Sequence, residues 1–422
     1  MNFKQFVVKY IQISVIQTIK VKKSIICFHF FILNKVNYSL KILIAVYPVE
    51  TKRIQRHGFF SEHQTIQGKD LVNLEIIAIF ALMKHFDSDY MEGAHPKVMQ
   101  RLMETNLEQT TGYGSDDYTK EAKELIRKAL GTEEVDIHFL VGGTQTNSTV
   151  IDALLMHHEG VLAAETAHIS VHESGAIESC GHKVLTLPSH EGKVDANEVK
   201  AYIKEFYADE TYEHMVAPGM LYISYPTEYG TLYSKEELTA LHEVCKEADI
   251  PLYIDGARLG YGLASNDCDI TLKDLPTLCD VFYIGGTKVG ALFGECVVAR
   301  KGLLKHFFPL IKQHGALLAK GRLLGIQFGT LFADNLYIDI AQHAIEMAML
   351  LKKGFVEKGY QLFLDSPTNQ QFFVLPNEVM DRLFKTTTFE VWGTRGETHT
   401  TVRFVTSWAT RKEDVEELIK EL

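Results

Sequence analysis

The chain has 422 residues, 46% hydrophobic and 23% charged, the balance of an ordinary globular protein with room for one large and one smaller domain. Its formal net charge of −11 argues against the basic face that nucleic acid or an anionic membrane would select, and leaves small-molecule chemistry as the expectation. Six cysteines, Cys27, Cys180, Cys245, Cys268, Cys279 and Cys296, form no C-x-x-C pair, so they read as reduced thiols of a cytoplasmic protein rather than as a disulfide framework or zinc site.

Residues 1–82 differ from the remainder. They hold eleven Lys/Arg against four Asp/Glu and no glycine before Gly58. Their longest uncharged run, Ser24 to Asn34, is far short of the roughly 20 apolar residues that a membrane span needs. No cleavage site or Arg/Ser-rich amphipathic helix marks a targeting peptide. The expectation is an upstream extension without a fold of its own, with natural translation starting at Met83, where the segment MKHFDSDYMEGAHP takes on the composition of the rest.

Beyond residue 110 strands and helices alternate. DIHFLVGG precedes the helical TNSTVIDALLMHH, VLAAETAH precedes ISVHESGAIESC, and KVLTLP precedes DANEVKAYIKEFY. GMLYISYP leads to a helix announced by a capping box, Ser234 with Glu237. PLYIDGAR, DVFYIGGTK and FGECVVAR follow. Apolar runs joined by amphipathic helices imply crossovers, hence an α/β large domain over 83–330, with an N-terminal arm and a mostly parallel sheet flanked by helices. From 331 a long helical stretch through AIEMAMLLKKGFVEKG, the strand candidates QQFFVLP, FEVW and TVRFVTSW, and a last helix capped by Thr410 and Glu413 predict a small α+β domain over 331–422.

Ligands of such a sheet gather at the carboxyl ends of the strands. Lys288 follows the apolar VFYIGG and precedes VGALFGECVV, so burial disfavours its charge and frees its amine as a nucleophile toward an aldehyde; the bland alternative is a snorkelling turn lysine. Asp255 ends the strand PLYI, and a carboxylate there is costly to bury unless it faces a cation. A protonated pyridine nitrogen is such a cation, which points to pyridoxal 5'-phosphate acting as an electron sink. Arg258 either pairs with Asp255 or offers its planar fork to a cofactor or substrate oxygen. In FLVGGTQTNSTVI two glycines join a strand to a helix, so N–H groups near Gly143 and Thr144 can hold an anion, although glycines also serve plain turns. His168 can lay its ring on a cofactor. It forms H-x-x-x-H with His172, but no third ligand stands at a matching spacing, and no metal is expected. Nucleophile-elbow, P-loop, dinucleotide and zincin motifs are absent.

The ordered set Gly143-Thr144, His168, Asp255 to Arg258, Lys288 and the late Arg403 of TVRFVT resembles the low-specificity L-threonine aldolases, pyridoxal-phosphate enzymes of aspartate aminotransferase fold type I in the β-eliminating lyase group. The resemblance runs from about Ser88 to the C-terminus. It implies that Lys288 carries the cofactor, His168 stacks on it, Asp255 meets its ring nitrogen, and Gly143 and Thr144 hold its phosphate. It further implies that Ser88 of SDYMEG, Arg258 and Arg403 grip the substrate carboxylate. Tyr113 in YGSDD resembles a substrate-side loop, and Arg322 in KGRLLG resembles an arginine reaching the phosphate of a neighbouring subunit. A homo-oligomer, dimer or tetramer, with active sites between chains is therefore implied. Two departures stand out: Glu228 in YPTEYG lies where the family often has histidine, and SDYMEG lacks the family's threonines.

The expected reaction is aldol cleavage of a β-hydroxy-α-amino acid to glycine and an aldehyde, with His168, Glu173 or Glu228 as the candidate base. An aminotransferase, a β-eliminating lyase and a non-enzymatic scaffold are the alternatives.

Overall fold

A computed structural model describes residues 83–422; the readings made for residues 1–82, Cys27 among them, lie outside the described residues. The strands are β1 (Lys84–His85), β2 (Val135–Leu140), β3 (Glu159–Ala164), β4 (Lys183–Leu187), β5 (Ala217–Ser224), β6 (Leu252–Asp255), β7 (Val281–Gly285), β8 (Glu295–Arg300), β9 (Gln361–Leu364), β10 (Gln370–Pro376), β11 (Thr387–Thr388), β12 (Glu390–Val391) and β13 (His399–Val405).

Seven of them form the main sheet in the order β2-β8-β7-β6-β5-β3-β4. β4, β3, β5, β6 and β7 pair in parallel, while β8 runs antiparallel to both β7 and β2. Every residue of β6 and β7 is buried, as expected for central strands covered on both faces. The mixed orientation has a direct consequence for the site. The carboxyl ends of β2, β3, β5, β6 and β7 and the amino end of β8 meet at one edge, since Leu140 and Gly285 both stand opposite Glu295.

The capping box forms as read. The Glu237 N–H donates to Ser234 Oγ at 3.1 Å, and the Ser234 N–H donates to Glu237 Oε2 at 2.7 Å, starting the helix Lys235–Glu247 between β5 and β6. The last helix departs from the reading. It spans Lys412–Glu421 with Arg411 at its cap position, because the Thr410 hydroxyl is spent accepting from the Ser407 N–H at 2.8 Å in the preceding turn. The segment ISVHESGAIESC forms two short turns, His168–Val171 and Ala176–Ser179, parted by the positive φ of Ser174 and Gly175.

A four-stranded antiparallel sheet, β12-β13-β10-β9, and a parallel pair, β1-β11, make up the other strands. Their core is aromatic, with Phe355 stacked on Phe373 at 4.0 Å and Phe389 on Phe404 at 4.5 Å between ring centroids. Phe86, just after β1, joins this second core. The helix Leu336–Glu357 serves both cores, placing Tyr337, Ala341 and Ile345 in the first and Met347, Leu351 and Phe355 in the second.

Candidate active site

At the shared edge the described residues enclose a cavity of about 260 Å³, into which Gly143, Thr144, His168, Glu228, Asp255, Arg258 and Lys288 all project. Of the residues singled out on sequence, these seven and Glu173 are brought together. Ser88, Tyr113, Arg322 and Arg403 do not line the cavity.

Asp255 lies at the end of β6, only 4% exposed. It accepts from the hydroxyls of Tyr222 at 2.6 Å and Tyr283 at 2.5 Å, from Asn147 Nδ2 at 2.9 Å and from the Ala257 N–H at 2.9 Å. Burial alone would raise its pKa, but His168 and the donors from Tyr222, Tyr283 and Asn147 reverse that and hold it below the usual carboxylate range. A permanent anion is thus fixed at the cavity floor. The alternative pairing of Arg258 with Asp255 is not what forms. Arg258 instead grips Asp89, with Nε and Nη2 donating at 2.7 and 3.1 Å. Burial would raise Asp89 as well, but Arg258 and Lys288 keep it low.

Lys288 follows β7 by three residues, and because β6 and β7 are parallel neighbours its turn sits beside Asp255. The Tyr261 hydroxyl donates to its carbonyl at 2.6 Å, fixing the backbone. Burial lowers the pKa of its amine, Arg258 lowers it further, and Asp89, Asp255 and Glu295 only partly offset the two. Its amine therefore gives up its proton, and becomes a nucleophile, more readily than an ordinary lysine.

His168 is held from two directions. Its N–H donates to Glu228 Oε1 at 2.9 Å, and its ring Nδ1 bonds Glu173 Oε1 at 2.8 Å. The same Glu173 oxygen accepts from Asn147 Nδ2 at 2.8 Å, so one amide ties the histidine's partner to Asp255. Glu228 also accepts from Ser224 Oγ at 2.6 Å, again on Oε1, and burial raises its pKa above that of an ordinary glutamate.

The helix Gly143–Leu154 starts after an extended Gly142 with no side-chain cap, leaving its first N–H groups free at the cavity wall. A Cβ on Gly142 would meet nothing within 4 Å, so space is open above these donors. An anion fits there by the helix dipole and the free N–H groups together. The remote arginine Arg403 lies under burial that lowers its pKa. It donates to Gln370 Oε1 at 2.8 Å, pairs with Glu390 and stacks over Trp392, while its Nε is buried without a partner. Ser88 is half-buried beside Asp89. Arg322 donates to the carbonyls of Glu108 and Asn106 at 2.7 and 3.1 Å, and Tyr113 is exposed with Lys312 over its ring.

The sequence reading missed Asp89, Asn147 and Glu295. For Glu295 a signal existed, a lone acid inside the apolar run FGECVV; for Asp89 it was the acid next to Ser88. Asn147 gave no local sign, since its two carboxylate partners lie 26 and 108 residues away.

A buried amine, a fixed anion, a histidine held at the cavity wall and an uncapped helix start fit pyridoxal phosphate, and with this sheet they define a pyridoxal-phosphate-dependent enzyme of the aminotransferase fold. Thermus thermophilus aspartate aminotransferase shares that fold at a TM-score of 0.61 and 16% identity, over 85% of this chain and 97% of the other. Within the class, the chain belongs to the Beta-eliminating lyase family, whose sequence pattern matches residues 85–377. It is 30% identical to a low-specificity L-threonine aldolase of a Pseudomonas species, over 80% of this chain and 97% of that one. It is 40% identical to a threonine aldolase structure from Leishmania major, with a TM-score of 0.77 over 80% of this chain and 98% of the other.

Proposed function

We propose that the protein cleaves a β-hydroxy-α-amino acid of the threonine or allo-threonine kind to glycine and an aldehyde. The observation that carries this is the single cavity in which Lys288, Asp255, His168, Arg258 and the start of the helix at Gly143 converge. Lys288 would hold the cofactor covalently, Gly143 and Thr144 its phosphate, His168 one ring face and Asp255 its ring nitrogen. When bound, pyridoxal phosphate supplies the acceptor for the electron pair of the breaking Cα–Cβ bond.

The other steps belong to the chain. Arg258 binds the substrate carboxylate through Nη1, the guanidinium nitrogen that its bonds to Asp89 leave uncommitted among the described residues. Arg403, now held by Gln370 and Glu390, and Ser88 would have to turn toward the cavity to add to this grip. Fixing the carboxylate orients the bond to be broken, which is a large share of the rate in reactions of this type. Glu228 takes the proton of the β-hydroxyl. Both glutamates line the cavity with their bonds on one oxygen, but Glu173 is 5% exposed and holds the ring of His168, whereas Glu228 is only half-buried and holds a backbone N–H and a hydroxyl.

Support for assembly comes from exposed apolar side chains. Met103 is 75% and Leu107 92% exposed, and Tyr113, Leu292 and Phe308 are exposed as well. A homodimer or tetramer covering them would bring Tyr113 and Arg322 to a neighbour's site. The segment 331–422 is read as the smaller domain, and the cytoplasm as the compartment, in keeping with the five described cysteines being free thiols. No described helix is long and apolar enough to cross a membrane.

The test is incubation of the purified enzyme with threonine, allo-threonine and phenylserine, with assays for glycine and for acetaldehyde or benzaldehyde. Equimolar glycine and aldehyde are expected. Keto acid with ammonia, or amino transfer to 2-oxoglutarate without aldehyde, would overturn the reading.

A further inference from the structure

Glu295, the first residue of β8, is a carboxyl that the proposed reaction does not use. It is 3% exposed, stands opposite Gly285 of β7 and lines the cavity with Lys288. Its Oε2 accepts from the Gly286 N–H at 3.0 Å and its Oε1 from the Thr287 hydroxyl at 2.7 Å. Thr287 Oγ1 accepts in turn from the Gly294 N–H at 3.0 Å, and the Gly286 and Thr287 N–H groups both reach the Gly294 carbonyl. One acid therefore clasps the two residues immediately before Lys288.

An acid this deep is expensive unless it has a task, because two hydrogen bonds do not recover the hydration of a carboxylate. The Gly294 carbonyl already binds the Gly286 and Thr287 N–H groups, so the acid's bonds to the Gly286 N–H and the Thr287 hydroxyl tighten a turn that is formed rather than create it. What the acid adds is a charge on the Lys288 side of the cavity. The groups that face it are Lys288 and Asp255, the hydroxyls of Tyr283, Tyr253 and Tyr337, and the thiol of Cys296.

We propose that Glu295 is a positioning residue for Lys288: it clamps the Gly286–Thr287 turn and its charge governs how firmly the lysine nitrogen keeps a proton. The inference rests on Lys288 being the residue that carries the cofactor. Burial, opposed only in part by Thr287, Lys288 and the Gly286 N–H, pushes Glu295 up to about 8, so its charge changes within the working pH range. As Glu295 loses its proton the new anion holds the lysine proton more firmly, so the pair titrates over a broader pH range than a lone buried amine would.

The experiment compares holoenzyme of wild type, Glu295→Gln, Glu295→Ala and Lys288→Ala by titrating the visible absorbance of the bound cofactor with pH, and by separating kcat from KM. Glu295→Gln keeps the size and one acceptor but removes the charge. Its absorbance midpoint is expected to fall by about one pH unit, roughly a tenfold change in proton affinity. Glu295→Ala should shift likewise and also lose kcat, with KM for the amino acid within about twofold, because Arg258 is untouched. A Gln variant whose midpoint coincides with wild type, while Lys288→Ala has lost the band, would overturn the role of Glu295 alone. A Lys288→Ala protein that keeps the band would overturn the lysine reading and this inference with it. Should the Ala variant fail to fold, the isosteric Gln variant still decides the matter.

Discussion

At the scale of single residues the site pushes the proton affinities of two carboxylates in opposite directions. Asp255 has four donors and stays an anion, whereas Glu228 has fewer and holds its proton more tightly than an ordinary glutamate. This divergence matches two roles, a permanent counter-charge and a proton acceptor. Asp255→Asn keeps the shape and two of the contacts but removes the charge; kcat should fall by about 10²–10³-fold, the scale of losing one electrostatic partner in a dry site. Retained cofactor absorbance would show that the loss is not one of binding. For Glu228 the sign can be worked through. Activity needs the anion, so the rate rises as pH passes upward through a midpoint above the reference value of 4.5. Folding favours the neutral acid, so the stability that Glu228 contributes is full below 4.5 and is lost as pH rises through its folded value. Glu228→Gln should therefore abolish the acid limb of kcat/KM, lower the plateau by roughly 10²–10⁴-fold, and flatten that part of the stability profile. A pH–rate profile and melting curves in matched buffers check both limbs, and an unchanged acid limb would move the base assignment to His168.

At the scale of elements, the helix Gly143–Leu154 does two jobs with its first turns. Its uncapped start faces the cavity, and one turn on, Asn147 spans Glu173 and Asp255 while its carbonyl oxygen accepts from the Tyr253 hydroxyl at 2.8 Å. The helix whose start faces the cavity thereby also fixes Glu173, the partner of His168, and Asp255. Asn147→Leu leaves two buried carboxylates short of a donor, each at a cost of about 1–3 kcal/mol. A fall in Tm is expected, together with a loss of kcat larger than any change in KM; a variant with wild-type Tm would show that water or a rotated side chain replaces the amide. This strut also marks the limit of what the sequence discloses. The ends of β6 and β7 were legible because each apolar run stops abruptly on a polar residue, and the Ser234–Glu237 box because its partners are three residues apart. Asn147 and Asp89 act across separations of 108 and 169 residues, set by strand order rather than by any local pattern, and Thr410 misled because its hydroxyl serves a turn before the helix instead of the helix.

At the scale of the whole molecule, the carboxyl ends of β2 to β7 and the amino end of β8 share one edge, and several apolar side chains of the described chain stay exposed. The helix Pro96–Glu104 presents Met99 and Met103 outward, and Leu107 follows in the loop whose neighbouring carbonyls, those of Asn106 and Glu108, receive Arg322. Scattered exposed apolar residues need no explanation, but Met99, Met103 and Leu107 fall on one helix and the loop after it, and such a group marks a surface that is covered in use. If a second copy covers them, a charge placed there must be desolvated on association and will break it. Met103→Glu with Leu107→Glu should convert the assembly to monomer in sedimentation velocity. Neither residue lines the cavity, so folding, read by Tm at low concentration, should be little changed. Activity should nevertheless fall with assembly, because Tyr113 and Arg322 would no longer reach a partner's site, and it should recover as protein concentration rises. A monomeric double variant with full activity at every concentration would confine each site to one chain and remove Arg322 from cofactor binding.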